Sequence, residues 1–70
     1  MSATTDRNIT KTVTSFEEAW IERNPEQWRR RTHAVVEHAR ANGLNLRMVR
    51  EHRTYHFIAW DPAHEDGSLA

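Results

Sequence analysis

The chain contains no cysteine, and only one of its ten basic residues is lysine. The lack of cysteine excludes disulfide bonds and thiolate metal sites, two common ways to stabilise a domain of 70 residues. A domain this small buries a modest fraction of its surface, so oligomerisation or a partner becomes a more important source of stability. No apolar run approaches the length of a membrane span or a signal-peptide core. We therefore expect one small cytoplasmic protein without a membrane segment.

The chain does contain large aromatic residues and an uneven charge. Three tryptophans, two phenylalanines and one tyrosine can build a compact core from few side chains. The net charge is zero, but residues 23–53 carry eight basic and three acidic groups, whereas residues 54–70 carry three acidic groups and no Lys or Arg. This asymmetry indicates either an anionic partner for the middle of the chain or a tail that screens it.

The N-terminal part predicts a flexible end followed by a short extended segment and a helix. Residues 1–8 are polar, which is typical of a frayed terminus. Residues 9–13, "ITKTV", alternate and are β-branched, so they favour either a short third strand or an extended arm. In "TSFEEAW", Ser15 can cap a helix and Glu18 can complete a capping box. The first helix is thus expected to begin after Ser15.

A second helix start follows at "NPEQ", where Asn24 can cap and Pro25 suits the first helical position. The helix is expected to run from Pro25 to Asn42, with Gly43 as a left-handed C-cap. A single kinked helix from Phe16 to Asn42 is the alternative.

Two alternating segments, "LNLRMV" and "YHFIAW", then predict an antiparallel β-hairpin. One face carries the residues expected to cover the helix: Leu44, Leu46, Met48, Tyr55, Phe57 and Ala59. Asp61-Pro62 ends the second strand, and residues 63–70 read as a flexible polar tail. The predicted fold is α+β: a long, kinked or paired helix on a C-terminal hairpin, within a single domain at residues 9–62.

The second helix has an apolar and a basic side. At about 100° per residue, Trp28, Val35 and Ala39 share one face, so Trp28 is expected in the core. The other side supplies a candidate anion- or partner-binding stripe, which the hairpin could extend: Arg29, Arg30, His33, Arg40, Arg47, Arg50 and Arg53. The stripe could meet phosphates, or it could be an ordinary solvated face. The neutral net charge and the lack of a nucleic-acid-binding motif argue against a committed nucleic-acid domain.

The reverse face of the hairpin carries Val49, Ile58 and Trp60 if the strands alternate strictly. A two-stranded hairpin with apolar groups on both faces lacks cover in so short a chain. We expect these three residues to form a dimer or target interface. The alternative is that the N-terminal segment, through Ile9 and Val13, folds over them.

Catalytic and metal chemistry find little support. His33 and His38 diverge by about 140° on a helix, and no cysteine or tight carboxylate cluster completes a metal site. No serine has an apparent partner. We expect no catalytic residue, no metal and no cofactor.

One segment, "ANGLNLRMVREHRTYHFIAWDP", resembles the central part of HicA-type toxins. In that family a helix ends at Gly and leads into a strand, and an Arg-x-x-Gly-Ser-His segment opens the next strand. Here the corresponding residues begin at Arg50, the glycine and the Ser-His pair are missing, and His56 stands one place late. The resemblance covers about a third of the chain and implies a ribonuclease with His56 as its only candidate catalytic residue.

The function expected from the sequence is therefore that of a small non-enzymatic module that occupies a surface of a protein partner, or of a second copy. Proteins of this size and composition occur among phage-encoded inhibitors and small bacterial regulators, which is an analogy of size alone. Nucleic-acid binding through the arginine stripe and a HicA-like ribonuclease are the alternatives.

Overall fold

The computed structural model describes residues 10–69. The N-terminus at residues 1–8 and the first position of the strand expected at residues 9–13 lie outside the described residues. The chain forms strand β1 (Lys11–Glu17), helix α1 (Glu18–Arg23), helix α2 (Pro25–Ala41), strand β2 (Asn45–Glu51) and strand β3 (Thr54–Trp60). The expected α+β fold is confirmed, in its form with a short and a long helix.

The sheet has three strands in the order β1-β3-β2. Strand β3 is antiparallel to both of its neighbours. The third strand that the sequence left open is therefore present, and it lies beside β3 rather than over the reverse face of the hairpin. The two edges of the sheet are β1 and β2, and the helices connect them across the same face.

The capping box expected at Ser15 is wrong. Ser15 and Phe16 belong to β1, and α1 begins at Glu18 without a side-chain cap hydrogen bond. Phe16 is only 5% exposed and pairs across the sheet with Tyr55. Burial of this ring in the sheet outweighs the local preference of Ser15 for a helix cap, as tertiary packing commonly does. The first backbone N–H of α1 is satisfied instead by the hairpin turn: Glu18 donates to the carbonyl of Arg53 at 2.9 Å.

A break at Asn24 separates the two helices. Asn24 has φ −136° and ψ 58°, outside the helical region, and Pro25 occupies the first turn of α2. The side chain of Asn24 does not cap α2 as expected. The side-chain amide of Asn24 donates to the backbone carbonyl of Trp20 at 2.9 Å. The backbone carbonyl of Asn24 accepts the N–H of Trp28, also at 2.9 Å. At the other end of α2, Gly43 has φ +66°, which confirms the expected left-handed C-cap.

An aromatic cluster between α2 and the sheet forms the core. The ring centroid of Phe16 lies 5.7 Å from that of Trp20, 5.3 Å from Trp28 and 5.9 Å from Phe57. Trp28 also contacts Tyr55, with ring centroids 5.8 Å apart. The expected packing of Trp28 on the hairpin is thus confirmed, and edge-to-face contacts of this kind stabilise beyond the area they bury.

The hairpin turn is shorter than the five residues, "REHRT", that separate the two alternating segments in the sequence. Strand β2 continues to Glu51 and β3 begins at Thr54, so only His52 and Arg53 connect them. Both have positive φ, 53° and 59°. This is the backbone of a type I′ turn, which matches the twist of a hairpin but normally selects Asn-Gly. The tight register of the two strands therefore holds the backbone of two non-glycine residues in a disfavoured conformation.

Candidate partner-binding surfaces

The register places the three predicted interface residues on one side of the sheet. Ile58 lies opposite Val13 on β1 and Arg47 on β2. Val49 is two residues from Arg47 along β2, and Trp60 is two residues from Ile58 along β3. Both side chains therefore lie on the same face as Ile58, away from α2. We call this side the reverse face. The sequence pattern found it because strict alternation holds along β2 and β3.

The C-terminal segment, residues 61–69, turns back beyond β3. Asp61 donates its N–H to the carbonyl of Thr10 at 2.8 Å, which extends the pairing of β1 with β3 by one position. The N–H groups of His64 and Glu65 then bond to the carbonyl of Asp61, both at 2.9 Å. The hydroxyl of Thr10 donates to Glu65 Oε2 at 2.9 Å. These bonds reverse the chain direction and tie the segment to the start of β1.

Past this turn the segment reaches the reverse face. Gly67 is buried, and a Cβ placed on it would lie 2.6 Å from Cε2 of Trp60, so its backbone rests on the indole ring. Arg47 donates from a guanidinium nitrogen to the carbonyl of Gly67 at 3.4 Å. Ile58 has no exposed surface at all. The reverse face is therefore covered near Trp60 by the chain's own C-terminal segment.

The cover on the reverse face comes from a segment that neither sequence prediction named. The sequence suggested either an open interface or a cover from the N-terminal arm, whereas residues 61–69 provide cover in the structure. The tail at residues 63–70 was expected to be flexible. Ala70 lies outside the described residues, and in the structure Gly67 of this tail packs on Trp60. The polar composition of the tail does not predict this contact, because the contact is made by the backbone of a glycine and a hydrophobic pattern depends on side chains.

Two carboxylates brace the C-terminal segment. The carboxylate of Asp61 accepts the N–H of Ala63 at 3.0 Å and contacts the ring of His64 at 3.0 Å. These bonds, the one from Ala63 first, lower the pKa of Asp61 below its usual value. The N–H of Ser68 donates to Asp66 at 3.0 Å, and this bond is the main reason that the pKa of Asp66 is also lowered.

The seven predicted basic residues lie on separate surfaces. Arg29, Arg30, His33 and Arg40 are exposed on α2. Arg47 points to the reverse face, on the other side of the sheet from α2, and Arg53 lies in the hairpin turn. Arg50 donates two hydrogen bonds to Glu18 Oε2, at 2.9 and 3.2 Å. This contact raises the pKa of Arg50 and links the hairpin to α1. The helix group and the hairpin group therefore do not form one continuous stripe.

Helix α2 has one flank towards β1 and the opposite flank towards β2, and the β2 side carries both apolar and basic residues. A groove of about 310 Å³ on the β1 side is lined by Arg31, Ala34, Val35 and His38 from α2, with Thr12 and Thr14 from β1. Helix geometry turns the opposite flank of α2 towards β2.

Three exposed residues, Arg29, Val36 and Arg40, lie on the flank of α2 that is turned towards β2. Val36 is 37% exposed and lies within roughly 20° and 40° of Arg29 and Arg40 around the axis. Met48, on the helix-facing side of β2, is 51% exposed. We call Arg29, Val36, Arg40 and Met48 the β2 flank. Arg40 also forms a long exposed ion pair with Glu37, at 3.6 Å.

One pair of chemically active side chains is not apparent from the sequence. The antiparallel register sets Ser15 opposite His56, and the Ser15 hydroxyl lies 2.7 Å from Nδ1 of the ring. A serine and a histidine at this distance are the first two members of a nucleophilic triad. No acidic group bonds to His56 in the part of the chain that the structure describes. Ser15 lines a shallow groove beside Phe16 and Trp20, but His56 lines none of the three grooves found among the described residues. The pair does not complete a catalytic site.

Within residues 10–69 no group of three histidine or acidic side chains is arranged to hold a metal ion. In the same range no helix combines the length and the apolar composition needed to cross a bilayer.

Comparison of the chain with protein-family models, with curated proteins and with solved structures finds no match. The resemblance to HicA-type toxins therefore gains no support from these comparisons, and the geometry around His56 gives none.

Proposed function

We propose that this protein is a small non-enzymatic binding module that occupies an acidic, apolar-centred surface of a protein partner through the β2 flank. The observation that carries the proposal is the exposure of Val36, on the flank of α2 that also carries Arg29 and Arg40, and of Met48, on the helix-facing side of β2. Among the described residues only three large hydrophobic side chains are exposed, and two of them belong to this flank.

The composition of the flank supports a protein partner. Methionine and arginine are enriched at protein interfaces, and methionine adapts to irregular partner surfaces. The four side chains of the flank include no carboxylate, so an acidic rim on the partner complements Arg29 and Arg40. A nucleic-acid partner would need phosphate contacts from many cations. The structure divides the basic residues between α2 and the hairpin, which favours the protein partner over nucleic acid.

The test is capture of partners from the host lysate by the tagged protein, with and without nuclease treatment. We expect a protein that survives nuclease treatment and that is lost with Val36→Asp and with Met48→Asp. The matched control is Ala34→Asp, which introduces the same charge on an exposed position of the same helix, two residues away on the β1 side. It should retain the partner.

Three results would contradict the proposal. Loss of every partner on nuclease treatment would support the nucleic-acid alternative. Equal loss with Ala34→Asp and Val36→Asp would mean that the flank is not the surface used. Turnover of RNA that disappears with His56→Ala would support the ribonuclease alternative. The captured protein should also bind the purified module directly, with an affinity that falls as salt rises, because rim charges are screened.

A further inference from the structure

The outer edge of β1 presents unpaired backbone groups in a fixed pattern. On the β3 side, the carbonyl of Thr10 accepts the N–H of Asp61, and Glu18 donates its N–H to the carbonyl of Arg53. Bonded pairs alternate along an antiparallel ladder, so even-numbered residues of β1 point their backbone groups to β3. The N–H and C=O groups of Val13 and Ser15 therefore point outward. No segment among residues 10–69 pairs with that edge.

The two edges of the sheet differ in their protection. Edge strands usually carry charged residues that discourage pairing with another chain. Strand β2 has this protection from Arg47, Arg50 and Glu51. Strand β1 has five consecutive uncharged residues, Thr12–Val13–Thr14–Ser15–Phe16, and Val13 is 44% exposed. Its threonine, valine and phenylalanine all favour strand pairing.

The sequence of β1 is also self-complementary. In an antiparallel pairing of two copies centred on Thr14, Val13 lies opposite Ser15 and Lys11 lies opposite Glu17. All of these are odd-numbered positions, whose backbone groups point outward, so the ladder can form over the full length of the strand. The two Thr14 residues meet on the two-fold axis, and Thr–Thr pairs are favourable across strands. At each end of the pairing, Lys11 of one copy meets Glu17 of the other. Within one copy, the charge of Lys11 also contributes to the lowered pKa of Asp66.

We propose that the outer edge of β1 pairs with β1 of a second copy, in the register centred on Thr14, to form a two-fold dimer with a continuous six-stranded sheet. Strand β2 lies at the opposite edge of each sheet. The dimer therefore leaves both β2 flanks accessible and presents them as two copies. It does not depend on the proposed partner, and it would add buried surface to a 70-residue, cysteine-free chain.

Proline substitutions distinguish the two edges. Val13→Pro removes an outward N–H while leaving the bonds of β1 to β3 in place, so it should preserve the fold and weaken association about tenfold or more. Met48→Pro is the matched control, because its N–H points outward from the other edge. Sedimentation over a concentration series, with circular dichroism to check folding, measures both. A wild-type protein that stays monomeric at millimolar concentration would overturn the proposal, as would association lost with Met48→Pro and retained with Val13→Pro.

A cross-linking series tests the register and does not require Val13→Pro to fold. The chain has no cysteine, so each single-cysteine variant can form only an intermolecular disulfide. In the proposed register the Thr14 Cα atoms lie about 4.5 Å apart, within disulfide reach. The two Val13 positions, and likewise the two Ser15 positions, are offset by two residues and lie beyond roughly 7 Å. We expect rapid oxidation of Thr14→Cys and slow oxidation of Val13→Cys and Ser15→Cys. Fastest oxidation at position 13 or 15, or equal rates at all three, would refute the register.

Discussion

Gly67 lies directly on the indole ring of Trp60, so close that a Cβ at position 67 would stand 2.6 Å from Cε2 and 2.7 Å from Cζ2. Gly67 also has φ +74°, a conformation that other residues adopt only with strain. Two independent requirements thus select glycine at one point of the C-terminal segment. This single contact covers Trp60, one of the three residues that the sequence assigned to a partner interface.

Gly67→Ala should detach the C-terminal segment from the reverse face. The added methyl group overlaps a rigid ring rather than the end of a flexible side chain, so the backbone must move. The expected result is a large shift of the Trp60 indole N–H resonance and greater quenching of its fluorescence. Gly43→Ala is the matched control: Gly43 also has positive φ, at +66°, but nothing lies within 4 Å of its added Cβ. It should cost about 1–2 kcal/mol of stability and leave the Trp60 resonance in place. Equal shifts in both variants would refute the contact.

Trp28→Ala should destabilise the domain by about 3 kcal/mol or more, which in so small a protein can abolish folding. Trp28 contacts Phe16, Tyr55 and Phe57, so its removal opens the centre of the aromatic cluster. Urea denaturation followed by circular dichroism measures the change. Gln27→Ala, at an exposed neighbouring position, should stay within about 0.5 kcal/mol of the wild type. A Trp28→Ala midpoint close to that of Gln27→Ala would mean that the cluster contributes little.

Arg53→Gly should stabilise the protein by about 1 kcal/mol. Arg53 has φ 59° in the turn between β2 and β3, and glycine adopts this conformation without the cost of a Cβ. The backbone bond from Glu18 to the carbonyl of residue 53 does not depend on the side chain. Thermal unfolding should show a higher Tm. Thr54→Gly, on the adjacent strand residue, should lower the Tm, because strand glycines destabilise. A lower Tm for Arg53→Gly would indicate that its side chain contributes more than its backbone strain costs.

Acid should release the C-terminal segment before the rest of the fold. The pKa values of Asp61 and Asp66 are lowered by hydrogen bonds from Ala63 and Ser68. A carboxyl with a depressed pKa stabilises the folded form above its unfolded pKa of about 3.9, and this contribution is lost as the pH falls through the folded value. The Gly67 amide and Trp60 indole resonances should therefore shift together below about pH 4. The double variant Asp61→Asn, Asp66→Asn should lack this step. If it shows the same step as the wild type, other groups hold the segment.

The sequence predicted those elements whose pattern is local. Alternation along "LNLRMV" and "YHFIAW" predicted both the hairpin and its two faces, because the side-chain period of a strand is two regardless of what covers it. Pro25 and Gly43 marked the ends of α2 because each imposes a backbone conformation that does not depend on distant contacts.

Predictions from the sequence were wrong or missing where long-range contacts compete with local conformational preference. Ser15 and Glu18 match the sequence pattern of a capping box. However, Phe16 between them is buried in the aromatic cluster, and the segment that contains Ser15 is a strand. The Ser15–His56 pair was invisible because it depends on the register of residues 41 positions apart. The turn at His52 carries no Asn-Gly signal, since the pairing of β2 with β3 imposes its conformation.

By itself, then, the sequence determined an α+β protein without cysteine, an amphipathic helix with Trp28 on its inner side, and a hairpin with apolar residues on both faces. Only the tertiary structure decided what lies on each face. It divided the basic residues between α2 and the two sides of the hairpin, placed Gly67 on Trp60, and made β1, whose residues 12–16 are uncharged, one edge of the sheet. The physical reason is that helix and strand periodicity follow from neighbouring residues, whereas cover and strand order depend on segments that meet only when the chain folds.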